Sequence, residues 1–109
     1  MEQPLYDFSS LEEVTAGDQT IKETIIQLFL TTIPDDLKAM EAAIENKNYS
    51  KVSSIAHKIK PSINYVCINQ LLDDVLCIEM WQNEDEMMVK KTQQFISTIH
   101  LLLRQLKTI

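Results

Sequence analysis

The sequence has 109 residues, enough for one domain whose hydrophobic core needs neither disulfides nor a metal ion. Its formal net charge is −6, from 10 basic and 16 acidic side chains, and such an acidic surface argues against nucleic-acid binding. A single glycine and three prolines argue against a sandwich or barrel with many turns. The sequence contains no run of about 18 apolar residues and does not open with a signal-peptide pattern. We therefore expect a cytoplasmic helical domain.

The first half of the chain is expected to be helical after an extended lead-in over residues 1–10. Ser9 or Ser10 would cap a short helix that ends at residues 17–18. Pro34, with two aspartates behind it, is expected to begin a new helix, because proline and acids are favoured in a first turn. The apolar stripes on either side of that proline are Ile21, Ile25, Leu28 and Phe29, and then Leu37, Met40, Ala43 and Ile44.

The second half continues with three helices separated by short polar links. After a turn at 46–48, the third long helix begins at Tyr49 or Ser50, and residues 82–86 later connect the fourth helix to the last. The apolar stripe of the third long helix is Val52, Ile55, Ala56, Ile59, Ile63 and Val66. Four amphipathic helices of three or more turns predict an all-α antiparallel up-down four-helix bundle with a short extra N-terminal helix, forming one domain over residues 1–109.

The third long helix places one histidine on its polar side. At about 100° per residue, His57 lies about 140° from the centre of the apolar stripe, so we expect its ring in solvent. Lys60 follows one turn later, within reach of an anion bound at the imidazole. Ser53, Pro61 and Asn64 lie on the same side as the histidine. An exposed histidine with a fixed cation beside it suits phosphoryl chemistry better than metal binding.

The stretch AHKIKPS resembles the core motif of histidine-containing phosphotransfer (HPt) domains, which is usually Ala-His-x-Leu-Lys-Gly-Ser. Ala56, His57, Lys60 and Ser62 match that motif, and Ile59 replaces the leucine conservatively. The resemblance extends over essentially the whole chain. Further similarities lie at Gly17–Asp18, Phe29, Pro34, Leu37 and the stretch LLDDVLCIE that ends at Glu79.

Two positions depart from the family pattern, since Pro61 and Cys67 replace family glycines. The first of these glycines leaves room beside the imidazole for a phosphoryl group and a partner. Pro61 has no N–H to bond the carbonyl of His57, so we expect a bend at about residues 57–61, convex toward solvent, with His57 near its crest.

The resemblance implies a phosphoryl carrier without kinase activity of its own. His57 would accept a phosphoryl group from a receiver-domain aspartate, Lys60 would stabilise its charge, and another receiver would take it on. The partners implied are response-regulator receivers and possibly a hybrid sensor kinase. The chain would need no cofactor, because Mg²⁺ belongs to the receiver. Around the histidine we expect docking contacts from Ser53, Pro61, Asn64, Tyr65 and Ile68. Ordinary surface exposure or core-edge packing accounts equally well for Pro61, Tyr65 and Ile68.

Other interpretations of the sequence stay open. Because of Pro61, a second hypothesis stays open: an HPt-like docking module that binds a receiver or kinase without being phosphorylated. A third hypothesis is a plain helical adaptor. No Ser-His-Asp or Cys-His set and no glycine-rich phosphate loop can be assembled. Cys67 and Cys77 fit no metal-ligand spacing and are expected to be reduced, small apolar residues. We expect a monomer, and the initial methionine favours a free-standing protein over a kinase domain.

Overall fold

The computed structural model describes residues 3–108, and within them it contains five helices. A short helix α1 precedes four longer ones, α2 to α5, and the links between the four are brief. The bounds are Ser9–Thr15 for α1, Gln19–Glu45 for α2, Tyr49–Val66 for α3, Asn69–Glu79 for α4 and Glu86–Leu106 for α5. The predicted all-α architecture with a short extra N-terminal helix is confirmed.

The four long helices surround one core. α2 packs against α3, α3 against α4, α4 against α5, and α5 returns to α2, which closes the bundle. α1 covers the edge formed by α2 and α3. The core contains every apolar residue predicted for the stripe of α3, because the 3.6-residue period puts them all on one face. Two residues predicted for the α2 stripe, Ile21 and Leu28, are instead exposed.

The prediction that Pro34 begins a new helix is wrong, because α2 runs unbroken through it. Phe29, Ile33, Leu37 and Met40 are all buried and follow one another at three- or four-residue spacing, so one apolar face continues across the proline. Proline in a helix interior costs about 3 kcal/mol, and burying each large apolar side chain contributes about 1.5–3 kcal/mol. The shared core therefore outweighs the local break.

Helix starts are fixed mainly by short polar side chains. Asp18 accepts a hydrogen bond from the Ile21 amide at the start of α2, and Asn48 accepts one from the Lys51 amide at the start of α3. At α1 the predicted serine cap is wrong. The helix begins at Ser9 without a side-chain cap, and the Asp7 carboxylate instead accepts bonds from the amide and hydroxyl of Ser9.

The segment before α1 crosses the junction between α3 and α4. The amide of Asp7 donates to the Val66 carbonyl at 2.8 Å, and the amide of Ile68 donates to the Leu5 carbonyl at 3.0 Å. Cys67, between them, is buried and free, and burial raises the pKa of its thiol. Cys77 is also a free thiol, but this residue is exposed.

Helix α3 remains α-helical through Pro61, which is exposed. The carbonyl of His57 lacks the amide partner that any other residue at 61 would supply. The bend expected at this point stays a prediction. Across residues 3–108, no helix is both long enough and apolar enough to cross a membrane.

Candidate functional site

His57 lies in the middle of α3 and points into solvent. Its side chain is 70% exposed, as the helical periodicity predicted, while the neighbouring Ala56 on the same helix is completely buried. The helix backbone is therefore held rigidly by the core, and the imidazole projects from its outer face. A ring in this position is accessible to a second protein.

Glu79, the last residue of α4, lies against the imidazole. Its Oε1 atom contacts Nδ1 of His57. An ionised carboxylate can only accept hydrogen bonds, so Nδ1 carries the hydrogen in this contact. In the neutral ring the lone pair is then on Nε2, which is the nitrogen left free to act as a nucleophile.

Lys60 binds the same carboxylate from the other side. Its ammonium group lies 3.0 Å from Oε2 and 3.3 Å from Oε1 of Glu79. The Lys60 side chain is 33% exposed, so it remains accessible from the surface on which His57 stands. The structure thus brings the two predicted residues, histidine and lysine, to a shared acidic partner.

A third residue of α3 fixes the end of α4. The hydroxyl of Ser53 donates to the backbone carbonyl of Glu79. Ser53, His57 and Lys60 lie on one side of α3, at spacings of four and three residues, and all contact Glu79. Glu79 therefore attaches the C-terminus of α4 to the outer face of α3 through these hydrogen bonds.

The two basic groups beside Glu79 lower the pKa of its carboxyl group. The hydrogen bond from His57 is the larger cause and the bond from Lys60 the next, while partial burial opposes them. The side chain is 21% exposed. Because its pKa lies below the ordinary glutamate value, Glu79 is a carboxylate at neutral pH.

The other predicted docking residues are distributed around this cluster. Pro61 and Asn64 are exposed on the histidine side of α3. Tyr65 and Ile68 are half-buried and pack against the core, so each offers only part of its surface. Ser53 is half-buried, and its hydroxyl is already bonded to Glu79. Their docking role stays a prediction.

Sequence periodicity did not identify Glu79 as part of the site. His57 and Glu79 are 22 residues apart on different helices, and no local spacing predicts which α4 residue will reach α3. The only signal was the resemblance over LLDDVLCIE, in which Glu79 is the last residue. Within residues 3–108, no group of three His, Cys, Asp or Glu side chains is placed to hold a metal ion.

Comparison with known proteins identifies the family. Neither the curated proteins nor the solved structures gave a significant match to this chain. A family model described as Hpt domain matches residues 24–109, which include α3, α4, α5 and most of α2. The match covers more than half of the sequence and includes His57, Lys60 and Glu79. The chain belongs to the Hpt domain family.

Proposed function

We propose that this protein is a phosphocarrier of a cytoplasmic multistep phosphorelay, and that His57 is its phospho-acceptor. Membership of the Hpt family gives the reaction class. The observation that supports His57 is its geometry: the ring is 70% exposed and Nδ1 is bonded to a carboxylate, which leaves the Nε2 lone pair accessible. His100, the other histidine, has no matching lysine three residues later.

The transfer step needs only a nucleophile, alignment and compensation of charge. The Nε2 lone pair of neutral His57 forms the N–P bond, and the P–O bond to the receiver aspartate breaks with its electron pair left on that carboxylate. The Nδ1 hydrogen stays on the ring. Transfer to a second receiver is the reverse reaction with a different aspartate. In-line positioning and electrostatic stabilisation supply most of the catalysis in such reactions.

Lys60 would provide cationic charge on the carrier side of the transfer. Its ammonium group is one turn from His57 and partly exposed, so it can turn from Glu79 toward a phosphoryl group on Nε2. The Mg²⁺ ion that neutralises the remaining charge belongs to the receiver. We assign this chain no kinase activity and no cofactor of its own.

The docking surface would be the outer face of α3 around His57. A receiver active site is a pocket, so a protruding ring on a convex helix is the shape that enters it. Pro61 and Asn64 are exposed beside the histidine, and the half-buried Tyr65 and Ile68 would add apolar contact at the edge. A monomer presents this face fully.

A second candidate is a docking module that binds a receiver or a kinase without accepting phosphate. Pro61 favours it, because the proline ring occupies the side of α3 on which the family glycine leaves space. The free Nε2 position argues for the carrier instead, since simple docking needs no oriented nucleophile.

Transfer from a phosphorylated receiver separates the two candidates. The protein should acquire label that is labile in acid and stable in alkali when it is incubated with a receiver carrying a labelled aspartyl phosphate. His57→Gln should abolish this label, and His100→Gln should leave it unchanged. Label that survives His57→Gln would rule out His57 as the acceptor. Stable binding to receivers without any label would favour the docking module.

A further inference from the structure

Sulfur-containing side chains are concentrated where α4 ends and α5 begins. The chain has five methionines and two cysteines, and four of these seven residues fall within residues 77–88. Cys77 is a free, exposed thiol in the last turn of α4. Met80 follows that helix directly, and Met87 and Met88 lie in the first turn of α5. This end of the bundle therefore carries most of the sulfur in the chain.

Two of these methionines are not accounted for by packing in the core. Within the described part of the chain, Met87 is 80% exposed and Met80 is 74% exposed, more than any other large aliphatic side chain at the surface. A thioether left in solvent gains little of the free energy that burial would provide. Its rotatable bonds and polarisable sulfur allow it to turn toward a ligand. A methionine of this kind is available for binding.

A cavity of about 370 Å³ lies between the two helix ends. Cys77 and Met80 line it from α4, at a three-residue spacing that places them on one side of the helix, and Met88 lines it from α5. The other lining residues are Trp81, Gln82, Asn83, Glu84 and Asp85. The lining therefore combines three sulfur donors with two carboxylates, and no lysine or arginine is among the described residues that form it.

The donor set determines which ion fits this cavity. Thiolates and thioethers are soft ligands that select Cu⁺, whereas carboxylate and carbonyl oxygens suit Mg²⁺ and Ca²⁺. A structural Zn²⁺ site takes four ligands from cysteine, histidine and carboxylates. Within residues 3–108 not even three such side chains are grouped for a metal ion. The cavity is therefore suited to a soft ion that accepts methionine as a ligand.

We propose that Cys77, Met80 and Met88 form a binding site for Cu⁺. The thiol of Cys77 loses its proton to solvent as the S–Cu bond forms, and each thioether donates a sulfur lone pair to the same ion. The oxidation state of the copper does not change. The thiolate balances the charge of the ion, and the carboxylates of Glu84 and Asp85 favour a cation in the cavity. The site is independent of the proposed phosphocarrier function, and no step of phosphoryl transfer uses it.

Competition with a coloured chelator measures the affinity of this site for Cu⁺. The wild-type protein should withdraw one equivalent of Cu⁺ from bicinchoninate, without oxygen and with ascorbate as the reductant. Trp81 is the single tryptophan and lines the same cavity, so its fluorescence should decrease in parallel. An excess of Zn²⁺ should leave both signals unchanged.

Substitution of each donor tests the assignment of the ligands. Cys77→Ser should abolish the uptake. Met80→Leu and Met88→Leu should each weaken binding by at least about 10-fold, because even residues that only orient a metal ligand contribute about 10- to 100-fold in affinity. Met87→Leu is the matched control, since Met87 is exposed in the first turn of α5 but does not line the cavity. Leucine is close to methionine in volume, so circular dichroism should show equal helix content.

Four results would overturn the proposal. Absence of uptake by the wild type would remove the site, and uptake that persists in Cys77→Ser would place the ion elsewhere in the chain. Wild-type affinity in both Met80→Leu and Met88→Leu would show adventitious binding by a single thiol. Displacement of Cu⁺ by Zn²⁺ would contradict a sulfur-dominated donor set. None of these results bears on whether His57 is labelled by a receiver.

Discussion

At the scale of single residues, the candidate site combines one exposed imidazole with two charges that compensate each other. His57 is accessible, but Lys60 is paired with Glu79, so the resting site has no excess positive charge to attract a phosphoryl group. Pairs that are partly exposed contribute little stability, which makes them easy to exchange. A phosphoryl group on Nε2 would compete with Glu79 for the lysine. On the proposed function, the resting pair would therefore lower the affinity for phosphate and keep the cation close.

Replacing Lys60 tests this role. Lys60→Ala should slow phosphoryl transfer from a receiver by about 10- to 100-fold, because the developing charge loses its cation on the carrier side. Helix content measured by circular dichroism should not change, since Lys60 is on the outer face of α3. Lys51→Ala, an exposed lysine in the first turn of the same helix, is the matched control and should transfer at the wild-type rate. Equal rates for both variants would contradict the role of Lys60.

At the scale of helices, α3 is the element that determines the site. The turn at residues 46–48 predicted its start, and the 3.6-residue period predicted its buried stripe and the outward direction of His57, because each depends on residues close together in the sequence. The Glu79 contact was not predictable in this way, because it depends on how α4 packs against α3. The prediction for Pro34 was wrong for a related reason. The local preference of proline favours a helix start, but the buried apolar face of α2 continues on both sides of Pro34 and stabilises one unbroken helix.

The two helix-interior prolines give a matched pair of experiments. Pro61→Ala and Pro34→Ala should each stabilise the protein by about 1–3 kcal/mol, because each restores a backbone hydrogen bond. Only Pro61→Ala should change the rate of transfer from a receiver, since Pro61 is exposed beside His57. Thermal unfolding and transfer kinetics measure the two effects. Equal transfer rates for both variants would remove Pro61 from the docking surface.

The bend in α3 has its own measurement. Residual dipolar couplings of the backbone amides should give different axis directions for residues 49–57 and 58–66 in the wild type. The difference should disappear in Pro61→Ala, which supplies the missing amide to the His57 carbonyl. Equal axis directions for the two segments in the wild type would contradict the expected bend. His57 would then be exposed on a straight helix.

At the scale of the whole molecule, segments outside the family match complete the bundle. Residues 3–23 precede the matched region, yet Leu11 of α1 is fully buried, and Leu5 and Tyr6 pack against the core. Gln105 near the end of α5 accepts a hydrogen bond from the Leu5 amide at 2.8 Å. The beginning of the described chain is thereby joined to the last helix. These contacts attach the N-terminal segment to the bundle that supports His57.

Acid unfolding should reveal the Glu79 interaction. Its pKa is lowered in the folded protein, so it stabilises the fold above the ordinary glutamate value of 4.5 and loses that effect as the pH falls through the folded pKa. The difference in free energy of unfolding between wild type and Glu79→Gln should be present at pH 7 and vanish in acid. The single tryptophan, Trp81, is buried and gives the fluorescence signal. A difference independent of pH would contradict an ionised Glu79.

The most direct measurement of the central claim is passage of a phosphoryl group between two receiver domains. A labelled phosphoryl group should appear on a second receiver only when a small amount of this protein is added to a phosphorylated first receiver. His57→Gln should stop the passage, and His100→Gln should not. Passage that continues with His57→Gln would contradict the account, as would label that reaches neither His57 nor the second receiver.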